Sequence, residues 1–163
     1  MANQRRQLAQ ILRKQPWIMA TAFRIWRLTR TKVTVGAIGV ITNTKGEILL
    51  VEHVFHPKHP WGLPGGWVER NEQPAQTVER EIKEELALNV TAENILLAEF
   101  TEHGHLDIAI KCAPIETDVE IRLSAELLNY GWFTTTQLPN IRIFHRNAIQ
   151  RALNKTHVNG MKL

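Results

Sequence analysis

A glycine pair followed by an acidic helix is the feature that most limits how this chain can fold. The segment from Gly66 to Leu88 reads GWVERNEQPAQTVEREIKEELAL, and Glu81, Glu84 and Glu85 stand at i, i+3 and i+4 within it. On a helix this spacing places the three carboxylates on one face. They repel one another unless a cation lies between them, so the spacing predicts a site for a hard divalent metal ion. A metal site beside a glycine-rich loop indicates phosphate chemistry.

The same segment has an apolar side that can attach it to a sheet. We expect the helix to begin near Pro74, because proline suits the first turn of a helix. The apolar stripe consists of Ala75, Val78, Ile82 and Leu86. It lies roughly 110° around the helix from the acidic face. The alternative is a solvated acidic face, and the glycine-rich run Trp61–Gly66 that precedes the helix argues against it.

The rest of the chain alternates between strand-like and turn-like segments. Val33–Ile41 and Glu47–His53 are predicted to form a hairpin around the turn 43–46. Further strands are predicted at Ile95–Thr101, Leu106–Ile115 and Asn129–Phe133, a weaker one at Val119–Leu123, and helices at Trp17–Leu28 and Phe144–Leu153. This order predicts an α+β or α/β fold, with a mixed sheet, helices on its faces and an extra N-terminal helical segment.

Charge divides the chain into two parts. The first 32 residues contain eight basic residues and no acid, whereas the whole chain has 20 basic and 16 acidic residues, which leaves net −4 for residues 33–163. We therefore expect an N-terminal extension, residues 1–32, and a domain, residues 33–163. The extension fits a transit peptide, an arm for a membrane surface or nucleic acid, a helix packed on the domain, or a homodimer contact.

The single cysteine, Cys112, excludes an intramolecular disulfide and a thiolate zinc cluster. It favours a reducing compartment, so we expect a cytoplasmic protein. Cys112 stands in an alternating strand pattern, which predicts a buried structural thiol. No uninterrupted apolar run reaches the roughly 18 residues that a transmembrane helix needs.

The acidic segment resembles the Nudix box of the Nudix hydrolases. Gly66 is followed after five residues by Glu72, and after seven more by the run Arg80–Glu85 with Leu88 behind it. The resemblance extends to the runs EILLVEH, WGLPGG and NYGWF, and it covers the chain from Val33 to the C-terminal helix. It implies an α+β fold of the α/β/α sandwich type, with a mixed β-sheet between helices.

Two positions depart from the box. Ala87 stands where the family usually has a glycine that ends the helix, so we expect the helix to continue to Asn89. Asn71 replaces another frequent glycine, and asparagine is the mildest substitute where φ is positive.

The resemblance implies a role for each matching residue. Glu81, Glu84 and Glu85 would bind Mg²⁺ or Mn²⁺ together with the carbonyl oxygen of Gly66. Glu81 is also the candidate general base within the box. Arg80 and Glu72 would form the ion pair that orients Glu81. Outside the box, Glu126 is a candidate base or additional metal ligand, or else an exposed loop acid.

The activity that the resemblance implies is metal-dependent hydrolysis of a diphosphate bond. The substrate would be a nucleoside diphosphate linked to another moiety, such as a nucleotide sugar or an ADP-ribose-like compound, and water would attack phosphorus. The alternatives are a pyrophosphatase that removes unwanted nucleoside triphosphates, a Nudix module that senses a nucleotide without catalysis, and an isoprenoid diphosphate isomerase that would need Cys112. His53, His56 and His59 form either a second metal site or loop histidines at the edge of the cleft.

Overall fold

A computed structural model describes residues 16–29, 32–55, 57–101, 104–116 and 120–154 of the chain. The chain divides into two compact units, Met1–Lys32 and Val33–Leu163. The described part of the first unit contains helix α1, Pro16–Leu28, as predicted. Among the described residues, no helix is long and apolar enough to cross a membrane.

The second unit contains two sheets and two further helices. The strands are β1 Thr34–Ile41, β2 Ile48–His53, β3 Trp61–Gly62, β4 Gly65–Trp67, β5 Val90–Phe100, β6 His105–Pro114 and β7 Leu127–Phe133, and the helices are α2 Pro74–Leu86 and α3 Ile143–Leu153. One sheet has the order β4-β1-β6-β5, with β1 parallel to β6 and its other pairs antiparallel. The other sheet has the order β3-β2-β7 and is antiparallel.

Alternate residues of β1 belong to two separate cores. Ala37 and Ile41 pack in the core that contains the buried side chains of α2, whereas Ile38 and Val40 pack in the core that contains those of α3. Because successive side chains of a strand point to opposite faces, the two helices cover opposite faces of β1. This arrangement confirms the predicted mixed sheet between helices.

The predicted hairpin between the first two strands is wrong. Its turn forms, since Asn43 Oδ1 accepts the backbone N–H groups of Lys45 and Glu47 at 2.9 and 3.0 Å and Gly46 has φ 79°. Beyond the single bridge Thr42–Ile48, however, the two strands separate into different sheets. The residues of β1 from Gly36 onward are all buried, because the strand lies inside its sheet between β4 and β6 and has a helix on each face.

Strand boundaries differ from the prediction where the period of two is interrupted. Strand β5 starts at Val90, five residues before the predicted start at Ile95. The prediction missed these residues because bulges at 92–94 and 95–97 break the alternation of the strand. The glycine-rich loop contains the short strand β4. Residues 120–123 form no strand, and Val119, the first residue of that predicted strand, lies outside the described residues.

Helix α2 begins at Pro74 as predicted but ends at Leu86 rather than at Asn89. Ala87 itself takes the left-handed conformation, with φ 55° and ψ 23°. The reason is tertiary, because the last carbonyl groups of the helix are bonded from outside it. The Glu85 carbonyl accepts the N–H of Ser124 at 2.9 Å and the Leu86 carbonyl that of Arg122 at 3.0 Å.

The apolar stripe of α2 is largely as predicted. Val78, Ile82 and Leu86 are fully buried, but Ala75 is exposed. The thiol of Cys112 is buried as expected, and burial raises its pKa to about 12.

Candidate active site

The acidic face of α2 lies against the glycine pair at the start of β4. A Cβ atom at Gly66 would collide with the Glu81 carboxylate, so only glycine lets this side chain approach the strand. Gly65 has φ 144°, and a Cβ atom there would collide with the carbonyl oxygen of Ala37. The glycine pair therefore lets β4 pass between β1 and the acids of the helix.

Arg80 is the centre of an ion-pair network beside the glycine pair. Its Nε and Nη2 atoms donate to the two oxygens of Glu72 at 2.9 and 3.1 Å, a bidentate pair. Its Nη1 atom donates to Glu81 Oε1 at 2.9 Å and to Glu84 Oε2 at 3.3 Å. Its Nη2 atom also reaches the carbonyl oxygen of Trp67 at 3.3 Å. One guanidinium thus holds the loop, the strand and the helix together.

Glu72 is fixed by more than this arginine. Thr77 Oγ1 donates to Glu72 Oε2 at 2.7 Å, and the N–H of Glu69 donates to the same oxygen at 3.1 Å. The hydrogen bonds from Arg80 hold the pKa of Glu72 down to about 2, and those from Thr77 and Glu69 act in the same direction. Thr77 is fully buried and was not predicted as part of the site. The sequence signal that could have revealed Thr77 is its hydroxyl group, which stands next to the apolar stripe in the first turn after Glu72.

The three acids of the box occupy different environments. Glu85 is only 6% exposed, and burial raises its pKa to about 8 although the N–H of Gly65 donates to its Oε2 at 3.1 Å. Burial also raises the pKa of Glu81, against the opposing effect of Arg80. The Glu84 side chain is 61% exposed. The helical spacing predicts one shared face, but it does not distinguish a nearly buried acid from an exposed one.

Glu126 lies close enough to add its charge to this group. The negative charge of Glu126 contributes to the raised pKa of both Glu81 and Glu85. Its own carbonyl accepts the N–H of Val54 at 3.0 Å, just before β7. The chain thus brings Glu126 beside the box acids, while its side chain is exposed.

The carboxylates stand near one another without closing around one point. Among the described residues, no group of three or more His, Cys, Asp or Glu side chains is placed to hold a metal ion. Glu84 and one oxygen of Glu81 turn toward Arg80, and Glu85 turns toward Gly65. The donor chemistry nevertheless fits a hard divalent ion, because it consists of carboxylate oxygens.

The histidines near the loop before the box include one that the sequence did not single out. His56 lies outside the described residues, and His59 Nδ1 is buried with no hydrogen-bond partner among the residues that the structure describes. His145 of α3, which was not predicted, accepts the N–H of Leu63 at Nδ1 over 2.9 Å. A Cβ atom at Gly62 would meet the rings of both His145 and His53. The loop before the box is therefore held by a histidine from the last helix.

The other face of β4 carries a second set of contacts that the sequence did not reveal. The Trp67 indole lies 4.7 Å from the His105 ring, measured between centroids. His105 Nδ1 is hydrogen-bonded to Thr34 Oγ1 at 2.7 Å, and its Nε2 to Asp107 at 3.1 Å. Asp107 in turn accepts a hydrogen bond from Thr101 at 2.8 Å. These contacts fix the strand whose Gly66 faces Glu81.

The sequence matches the family model of the NUDIX domain over residues 31–152. The chain therefore belongs to the Nudix family and is a pyrophosphohydrolase of that family. Nudix hydrolases generally use divalent metal ions. Comparison with curated proteins gives no match.

Solved structures share the fold. A MutT Nudix hydrolase from Burkholderia pseudomallei is 28% identical, with a TM-score of 0.59 over 74% of this chain and 98% of that one. An ADP-ribose pyrophosphatase from Streptococcus suis is 20% identical, with a TM-score of 0.63 over 77% and 96%. A UDP-X diphosphatase is 18% identical, with a TM-score of 0.62 over 91% and 78%.

Proposed function

We propose that this chain hydrolyses a diphosphate bond in a nucleoside diphosphate linked to another moiety, with Mg²⁺ or Mn²⁺ as the metal. The observation that supports this most is the network in which Arg80 binds Glu72, Glu81 and Glu84 beside the glycine pair. Residues 33–163 form the hydrolase domain in this proposal, and residues 1–32 are an extension.

The metal would be held by carboxylates of α2 and by oxygens that lie next to them. In this proposal its ligands are Gly66 through its carbonyl group, Glu81, Glu84, Glu85 and Glu126. A bound divalent ion neutralises the diphosphate and lowers the pKa of water. Glu84 is the most exposed of the three acids on α2, so its side chain can turn from Arg80 toward the others without repacking the core.

In this proposal Glu81 acts on the attacking water, and two neighbouring residues orient its carboxylate. Glu81 accepts the proton of the attacking water, and its raised pKa suits this role because a base works best when its pKa lies near the working pH. Arg80 binds Glu81 Oε1 and so orients the carboxylate. Glu72 orients Arg80 through the bidentate pair.

The substrate class is proposed from the neighbours as well as from the box. Two of the structural neighbours are named as an ADP-ribose pyrophosphatase and a UDP-X diphosphatase, and both names describe a nucleoside diphosphate joined to a second group. The Burkholderia neighbour is named only as a MutT Nudix hydrolase, a name that states no substrate, and hydrolysis of nucleoside triphosphates stays the second candidate.

A substrate panel tests the proposal. Nucleotide sugars, ADP-ribose and nucleoside triphosphates are incubated with Mg²⁺ or Mn²⁺, and released nucleoside monophosphate and phosphate are measured. We expect turnover of a linked diphosphate and a loss of about 10²-fold or more in kcat for Glu81→Gln. Glu93→Gln, which removes an exposed ion pair with Lys111, is the matched control and should retain wild-type kcat. The proposed activity is contradicted if no substrate of the panel is hydrolysed and Glu81→Gln leaves the affinity for nucleotides unchanged.

A further inference from the structure

Helix α1 exposes far more apolar surface than a helix in water normally does. Its large apolar side chains are 44% to 79% exposed, and they are Trp17, Met19, Phe23, Ile25, Trp26 and Leu28. Phe23 and Trp26 contact each other along the helix, with ring centroids 5.5 Å apart and ring planes tilted by 60°. Proteins in water rarely expose so large an apolar patch, so this surface indicates a binding site.

The charged side of α1 is narrow and entirely basic. Arg24 and Arg27 are three residues apart, so they lie about 60° from each other around the helix axis, with Ala20 between them. Trp17 and Leu28 lie next to Arg24 on one side of this strip, and Phe23 lies next to Arg27 on the other. The helix thus has a basic strip with apolar side chains along both of its edges, as helices that lie in a membrane interface do.

Charge decides which partner fits. The segment 1–32 contains eight basic residues and no acid. A second copy of the helix could cover the apolar side chains, but it offers no anion to Arg24 and Arg27. A nucleic acid would attract the arginines and could stack the aromatic rings, but it offers no apolar phase for Met19, Ile25 and Leu28. An anionic bilayer surface offers lipid phosphates for the arginines and an acyl boundary for the apolar side chains.

We propose that α1 docks this protein on the surface of anionic lipid membranes. Its 13 residues are too few to span a bilayer, so the helix lies in the interface. Trp17, Phe23 and Trp26 enter the boundary between headgroups and acyl chains, and Arg24 and Arg27 reach the phosphates. This inference does not depend on the hydrolytic activity proposed above.

Vesicle co-sedimentation of the full chain tests the proposal. With phosphatidylcholine vesicles that contain phosphatidylglycerol, we expect a bound fraction at least about tenfold above that with phosphatidylcholine alone, and weaker binding as salt rises. The double variant Arg24→Glu/Arg27→Glu should lose this preference, and Phe23→Ser/Trp26→Ser should lose binding. The matched control Lys45→Glu/Lys58→Glu reverses two exposed lysines of the second unit and should bind like wild type. Equal binding to both vesicle types, or none, overturns the proposal.

Tryptophan quenching by lipids with brominated acyl chains provides a test of insertion in the wild-type chain. We expect quenching on anionic vesicles that disappears in Trp17→Phe/Trp26→Phe, which leaves the other tryptophans in place. Unfolding curves of all variants should match the wild type, because these side chains are exposed. Sedimentation velocity tests the alternative that the helix binds a second copy of the chain. Dimers that disappear in Phe23→Ser/Trp26→Ser, without any binding to vesicles, assign the helix to a second copy and overturn the proposal.

Discussion

The buried carboxyl group of Glu85 should make the metal-free domain unstable toward high pH. Burial raises the pKa of Glu85 from 4.5 to about 8. Below pH 4.5 the group is protonated in both the folded and the unfolded state and has no effect. As pH rises from 4.5 to 8 the unfolded chain releases its proton while the folded domain keeps it, so stability falls. Above pH 8 the loss is complete.

The size of the loss of stability follows from the difference between the pKa values of Glu85 in the unfolded and the folded state. Each pH unit between them costs about 1.4 kcal/mol, so at pH 7 the free energy of unfolding is lower by about 3 kcal/mol. Replacement of Glu85 by Gln removes the titration and keeps an oxygen that can accept the N–H of Gly65. We therefore expect Glu85→Gln to match the wild type near pH 4 and to exceed it by about 3 kcal/mol at pH 7. For a chain of this size that difference raises Tm by about 6 to 12 °C.

Chemical denaturation in EDTA across this pH range measures the difference directly. Glu84→Gln, on the exposed side of the same helix, is the matched control and should stay within about 0.5 kcal/mol of the wild type. Other titrating groups are common to the three proteins and cancel in the comparison. A gap between Glu85→Gln and wild type that stays constant from pH 4.5 to pH 8 would refute the reasoning.

Other features of the domain lead to further expectations. Ala87→Gly should raise the free energy of unfolding by about 1 kcal/mol, because glycine removes the penalty at φ 55°, and equal denaturation midpoints would count against this. Gly65→Ala should lower it by about 3 kcal/mol or more, since the new methyl group meets the Ala37 carbonyl; a melting curve like that of the wild type contradicts this. Arg80→Lys should reduce kcat by about 10²-fold through a misplaced base, and unchanged steady-state kinetics would exclude that role. Mn²⁺ added at pH 7 in weak buffer should release nearly one proton per chain from Glu85, and clearly fewer from Glu85→Gln, as followed by a pH electrode.

The predictions from sequence were right for elements whose signal is local and wrong for features that depend on distant partners. Pro74 and the apolar stripe predicted α2, and Asn71 has the positive φ expected of it, at 68°. The end of α2 was wrong because distant N–H groups, those of Arg122 and Ser124, bond its last carbonyls. The hairpin was wrong because β1 pairs with β6, a partner about 70 residues away that no local pattern reveals.

The candidate site also combines a feature that the sequence predicted with features that it did not. The spacing of Glu72, Arg80 and Glu81 predicted an ion pair that the fold contains. The burial of Glu85 and the contacts of Thr77 depend on how α2 is rotated against the sheet, and a spacing of charges does not encode that rotation. The roles of these residues in metal binding and catalysis stay predictions.

The hydrogen bond from Leu63 to His145 joins residues 82 positions apart, and this affects the order in which the domain matures during synthesis. A ribosome delivers the glycine pair and α2 long before it delivers α3. Until α3 emerges, the loop in front of α2 lacks the imidazole that holds it, and Phe144, Ala148 and Ile149 are absent from their core. A nascent chain arrested before residue 143 therefore contains every acid of the box and still lacks a fixed site. We therefore expect catalytic competence only after the last helix has been synthesised.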